Sequence, residues 1–268
     1  MRLTSENMEM VITILIDDNP GEHSPGEHGL SYLIEYDGVR LLFDTGQSDL
    51  FLRNALTMGI DMTAIDIIVL SHGHYDHGNG LCCLPGGKLV CHPGCFVKRY
   101  RKSDNSYIGL NCGEDEISIK FELLTTATPC KISKKIFFLG EIPRFTDFES
   151  KRTPYILEGG IPDFIMDDSA IALLLPHGVF VVTGCGHAGI VNTLDHAKEV
   201  TGDNRVYGIL GGFHLKRNDR QTKETISYLM KNDVKHVYPA HCTTPPVRSV
   251  FHQVFKTNLL KTGDVLRF

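Results

Sequence analysis

The chain has 268 residues, 42% of them apolar and 22% charged, with a formal net charge of −5. That length suits one large α/β domain or two modest ones, with the balance of an ordinary soluble globular protein. The charge leaves no basic footprint for nucleic acid, and no apolar run is long enough to cross a bilayer. The N-terminal stretch "MRLTSENMEMVITILIDD" carries acids where a secretion signal needs basic residues, so the expected location is the cytoplasm.

"MVITILID" (10–17), "LSYLIEYD" (30–37) and "VRLLFDTG" (39–46) read as strands, with Asp37-Gly38 as a hairpin turn between the last two. "SDLFLRNALTMG" (48–59) predicts a helix with Ser48 as N-cap and Gly59 just past its end. "IDIIVL" (65–70) is short, β-branched and nearly uninterrupted, as expected of a strand buried on both faces. Residues 93–162 turn polar and then return to short strands. They predict a small α+β insertion or lid on a single domain spanning 1–268. A basic run there (Lys98, Arg99, Arg101, Lys102) reads either as a solvated helix face or as a lid that meets an anionic substrate. From Ser169 onward, strands alternate with helices, and the last helix carries Pro246 near its first position. The two halves predict an α/β fold, an αββα sandwich with ligands at strand ends.

"LSHGHYDHGNGL" (70–81) follows the buried strand and holds His72, His74, Asp76 and His77 within six residues. Neutral imidazoles and a carboxylate suit zinc, iron or manganese. His72 and His74 lie two apart in an extended loop and can share one ion, whereas Asp76 and His77 face another way and suit a second. One loop cannot complete two sites, so further ligands are expected at the same sheet edge. His187, His214 and His241 each follow an apolar run that breaks at a small residue or turn. The eight cysteines form no paired C-x-x-C modules and are expected to be reduced and mostly buried. Glu27 and His28, in a glycine-flanked loop, are candidates to line the edge. Arg144 is a candidate fork for a phosphate.

H-x-H-x-D-H after a strand, preceded by "LLFDTG", resembles the metallo-β-lactamase superfamily. "EHGLSYLIE", "GEIPR", "TGCGHAGIVN", "GGFHL" and "HCT" further resemble its branch typified by an archaeal dihydropterin–ribofuranosylaminobenzene phosphate synthase. The resemblance implies that Asp44 orients the metal loop from behind the ligands and that His241 is the final ligand histidine. The middle ligands depart from the common pattern. "TGCGH" has Cys185 where most members carry aspartate, and "MDDSA" stands where they carry a histidine, so Asp168, Cys185 and His187 all remain candidates. Two divalent ions are implied, zinc or else iron or manganese, with Asp76, His214 and His28 as candidate catalytic groups. The implied reaction is hydrolysis of a small anionic phosphate or ester by a metal-activated water. The alternatives are a transferase with a diphosphate leaving group and a non-catalytic metal sensor.

Overall fold

A computed structural model describes residues 9–268; residues 1–8, on which part of the leader reading rests, lie outside them. Strands β1 (Val11–Ile16), β2 (Ser31–Tyr36) and β3 (Val39–Phe43) precede helix α1 (Leu50–Thr57), and β4 (Ile67–Val69) leads into the short helix α2 (Tyr75–Gly78). Next come β5 (Gly87–Cys91), β6 (Arg99–Arg101), α3 (Glu114–Lys120), β7 (Phe121–Thr125), β8 (Cys130–Lys131), β9 (Ile136–Phe138) and β10 (Tyr155–Leu157). The remainder is β11 (Ala170–Leu175), β12 (Gly178–Thr183), α4 (Ile190–Thr201), β13 (Val206–Gly212), α5 (Arg220–Lys231), β14 (His236–Ala240), α6 (Pro245–Phe255) and β15 (Val265–Arg267).

Two sheets result, in the orders β15-β1-β2-β3-β4-β5-β7 and β14-β13-β12-β11-β9-β8. Alternate side chains of each strand face opposite ways, and both faces are covered. Ile12, Ile14, Tyr32 and Phe43 of the first sheet meet Phe138, Ile171, Phe180 and Val182 of the second in a central core. Outside, Leu33 and Leu42 pack on Phe51 and Ala55 of α1. Val181 and Ile209 pack among Leu194, Leu229 and Phe251 of α4, α5 and α6. The αββα layering read from the sequence is present, and double-sided burial accounts for the near-continuous apolar runs.

Residues 93–162 do not form one inserted lobe. β7 extends the first sheet, and β8 with β9 extends the second; β6 and β10 pair with each other in a separate two-stranded ribbon. The apolar segments 121–125 and 136–138 are drawn into the sheets because each finds an edge to pair with. The basic run is centred on a strand and not on a helix face, with Lys98 and Lys102 flanking β6, and Arg99 within it is only 1% exposed. Ser48 is displaced from the N-cap by Asp49, although its Oγ still accepts a hydrogen bond from the Leu50 amide. Cys82 and Cys112 are joined as a disulfide, against the expectation that all thiols are reduced. Among the described residues no helix is long and apolar enough to cross a membrane.

Topology fixes where the chemistry gathers. β3 pairs parallel with β4, and β12, β13 and β14 run parallel to one another. β1 lies two antiparallel pairings from β3 and therefore shares its direction. All these strands end at one edge, and β1 has a register shift between Ile14 and Ile16 just before it delivers Asp17 and Asp18.

Candidate metal centre

The loop after β4 is held from behind by Asp44, which follows β3. Asp44 Oδ1 accepts from the Ser71 amide at 2.7 Å, and Oδ2 accepts from Ser71 Oγ and from His77 Nδ1, each at 2.7 Å. The Ser71 hydroxyl gives its only proton to Asp44, so at 2.9 Å it accepts one from His72 Nδ1. A carboxylate only accepts, so both rings must carry their proton on Nδ1 and present Nε2 as a lone pair. Asp44 thus holds Ser71 and His77 from behind the loop. Gly184 permits the close approach, because a Cβ there would collide with Ser71 Oγ.

The loops after β12, β13 and β14 bring the other candidates to the same edge. His72, His74 and His187 each offer a ligand atom within 4.8 Å of the others. Asp76, His77 and His241 form a second such group, and Cys185 groups both with His72 and His77 and with His241 and Cys242. His241 Nδ1 donates to Asp18 Oδ1 at 2.7 Å, so its Nε2 faces His77 Nε2 at 3.2 Å, with Cys185 Sγ 3.3 Å from the latter. Two imidazole lone pairs so placed repel unless a proton or a cation lies between them. Asp76 Oδ2 adds negative charge, 3.4 Å from His241 Nε2 and 3.8 Å from His77 Nε2. On the other side, His74 Nε2 and His187 Nε2 are buried with no hydrogen-bond partner. Orphaned imidazoles, opposed lone pairs and a buried carboxylate are the surroundings a divalent ion needs. The residues fit such a group.

Electrostatics agree. Burial first, and then the neighbouring imidazoles, hold His72 and His187 well below the ordinary histidine range. Burial depresses His74 to about 3. These rings are thus kept neutral, the form that ligates. Burial opposes a charge on His241 too, but hydrogen bonds to Asp18 and Asp76 outweigh it and raise its pKa. The carboxylates around that ring demand positive charge.

Several expected residues have other occupations. Asp168 belongs to neither ligand group. Its Oδ2 accepts from the Ala188 amide at 2.8 Å, and burial raises it to about 7. Glu27 accepts from the Gln47 amide at 3.0 Å and from Ser48 Oγ at 2.6 Å, fixing the turn into α1 instead of lining the edge. Arg144 donates to the Ile165 carbonyl at 2.7 Å and lines neither cavity at the site. His28 does face the centre, its Nδ1 3.2 Å from Asp18 and its Nε2 3.3 Å from Asp76. His214 lies beside it, with Nε2 3.3 Å from Tyr155 Oη.

A cavity of about 150 Å³ opens on His74, Asp76, Cys185 and His241. A larger one of about 420 Å³ adjoins it, and Tyr155 and His214 line both. Asp18, Asp17, Cys242 and Tyr155 were not among the expected residues. Asp17 and Asp18 follow an apolar strand just as His187, His214 and His241 do, a signal that was there to be read.

Comparison with known proteins gives concordant results. Residues 25–81 match the family model described as the metallo-beta-lactamase superfamily. The chain is 34% identical to an uncharacterized protein of Methanocaldococcus jannaschii, over 87% of this chain and 90% of that one. It is 32% identical to 7,8-dihydropterin-6-methyl-4-(beta-D-ribofuranosyl)-aminobenzene-5'-phosphate synthase of the same organism, over 96% of each. The crystal structure of Tm1679, described as a metal-dependent hydrolase of the beta-lactamase superfamily, superposes with a TM-score of 0.84 at 28% identity, covering 96% of this chain and 98% of the other.

Proposed function

The chain belongs to the metallo-beta-lactamase superfamily, and on that footing we propose a dinuclear metal-dependent hydrolase of small anionic phosphates or esters. The opposed Nε2 atoms of His77 and His241, each with its Nδ1 proton already given to a carboxylate, carry the reading. In it, His72, His74 and His187 would hold one ion and Asp76, His77 and His241 the other, with Cys185 within reach of ligand atoms from both groups. A pair of divalent ions, zinc before iron or manganese, would supply Lewis acidity and an acidified water as nucleophile.

The remaining roles fall to the chain itself. Asp44, directly at His77 and through Ser71 at His72, and Asp18 at His241 fix the tautomers of three rings. His28 bridges Asp18 and Asp76 and holds the Asp76 carboxylate against rotation. His214, bonded to Tyr155 at the partition between the cavities, is positioned to pass a proton to a leaving oxygen. The acidic net charge supports a small-molecule partner over nucleic acid, and a cytoplasmic location completes the proposal.

A second reading, a transferase with a diphosphate leaving group, is favoured by the synthase relative that matches over 96% of both chains. Metal analysis combined with turnover on phosphomonoesters, phosphodiesters, lactones and pterin diphosphate separates the two. Close to two equivalents of metal per chain, with chelation abolishing hydrolysis, is the expected result. His77→Ala and His241→Ala should each lose one ion in preference to the other. If both variants keep full metal and full rate, the assignment is wrong.

A further inference from the structure

The basic run in β6 is divided by the fold into residues with different tasks. Arg99 is buried and makes a two-pronged contact with Asp167, Nη1 to Oδ2 at 3.1 Å and Nη2 to Oδ1 at 2.8 Å. Asp167 Oδ2 also accepts from the Gly73 amide at 2.7 Å, inside the histidine loop. Ile108 links the ribbon to that loop a second time, its amide donating to the Arg99 carbonyl and its carbonyl accepting from the Tyr75 amide. Lys98 reaches out to Glu158 at 3.6 Å.

Arg101 does neither. It pairs in register with Tyr155 across the ribbon, and both residues line the cavity that opens on His74, Asp76 and His241. Lys216, from the loop after β13, lines the same cavity, and its Nζ is steadied by the Cys242 carbonyl at 2.8 Å. Among the described residues neither cation is ion-paired to a carboxylate, although both stand over a centre rich in carboxylates and imidazoles. A guanidinium is a planar fork suited to two oxygens of one anion, and an ammonium adds a point charge.

We propose that Arg101 and Lys216 form an anion clamp at the mouth of the metal cavity, engaging a phosphoryl group of the substrate, with Arg99 as the positioning residue that anchors the ribbon. The clamp rests on the reading that this edge is the reaction centre. It narrows the substrate class to molecules that carry a phosphate next to, or as part of, the reacting bond.

Inorganic phosphate titrated calorimetrically into metal-loaded protein at fixed ionic strength tests it. Arg101→Gln should weaken binding about tenfold, and the double variant with Lys216→Gln about a hundredfold, the scale of charge-assisted hydrogen bonds. Arg101→Lys should fall between wild type and Arg101→Gln. Metal content should be unchanged throughout, and Lys102→Gln, one residue beyond the strand, should bind as wild type does. Equal affinity in wild type and the double variant overturns the clamp, because phosphate would then be held by the ions alone. So does an equal loss in Lys102→Gln, which would mean diffuse surface charge, or a loss of metal in Arg101→Gln. Protein that takes up two ions but hydrolyses no phosphoester overturns the hydrolase reading and leaves the titration to decide the clamp.

Discussion

At Asp44 the backbone adopts φ +57°, and His214 and His241 are also left-handed, at +49° and +41°. Non-glycine residues rarely adopt this conformation, and it costs about 1–3 kcal/mol where the surroundings hold it in place. For Asp44 those surroundings are the hydrogen bonds from Ser71 and His77, so the strained residue is also the one that sets two tautomers. Asp44→Asn keeps the shape but replaces an accepting oxygen with a donor. Metal affinity measured by chelator competition should fall about 10–100-fold while the fold survives; unchanged affinity would reduce Asp44 to a packing role. Gly184→Ala reaches the same point from the other side, by pushing Ser71 away from Asp44, and should lower affinity without altering any ligand. The histidine loop was legible because three imidazoles in six residues have no other economical explanation. Asp18 left a weaker trace, its place after an apolar strand, because its partner His241 is 223 residues away and a lone acidic pair there also suits a turn.

Elements of three residues leave little trace in a sequence. β6 and β10 are each that short and more than fifty residues apart, and neither alternates clearly, so the sequence pattern shows no ribbon and leaves its basic residues open between a helix face and a lid. What stabilises it is the Arg99–Asp167 pair, 1% and 2% exposed. Removing one member of a buried pair leaves an uncompensated charge, so Arg99→Met should lower the unfolding free energy by about 3–5 kcal/mol. The double change Arg99→Met with Asp167→Leu should recover a large part of that loss in denaturant titrations. Burial raises the Asp167 carboxyl, but Arg99 outweighs it and holds the group below its ordinary value near 3.8. A depressed acid stabilises the fold above its unfolded pKa and loses that contribution as pH falls through and below it. Asp167→Asn should therefore flatten the acid limb of the stability profile below about pH 4. An acid limb as steep as wild type's would show that the pair does not supply it.

At the scale of the molecule, the αββα layering was legible because each half alternates apolar strands with amphipathic helices. Sheet order was not. β15 returns from the chain's end to pair with β1, and β7 to β9 divide between two sheets, contacts set by edge availability and not by local pattern. Each candidate ligand group draws on loops at one edge, so metal that binds only the folded chain should stabilise it. At a hundredfold excess over Kd the gain is about 2.7 kcal/mol per site, read as a rise in melting temperature that chelation reverses. An apo-protein that melts where the loaded one does would count against any ion at these residues.

The edge is also a seam. One sheet delivers Asp18, Asp44 and the histidine loop, and the other delivers Cys185, His187, His214 and His241, so the group of His72, His74 and His187 and the group of Asp76, His77 and His241 each draw on both sheets. An ion seated there would act as a rivet through two plates, and its grip would gauge how tightly they are pressed together. Enlarging or hollowing the central core at Phe138 or Phe180, out of reach of any ligand, should then loosen the ion before it unfolds the chain. Slow metal loss under mild denaturant would become an early sign of the sandwich coming apart.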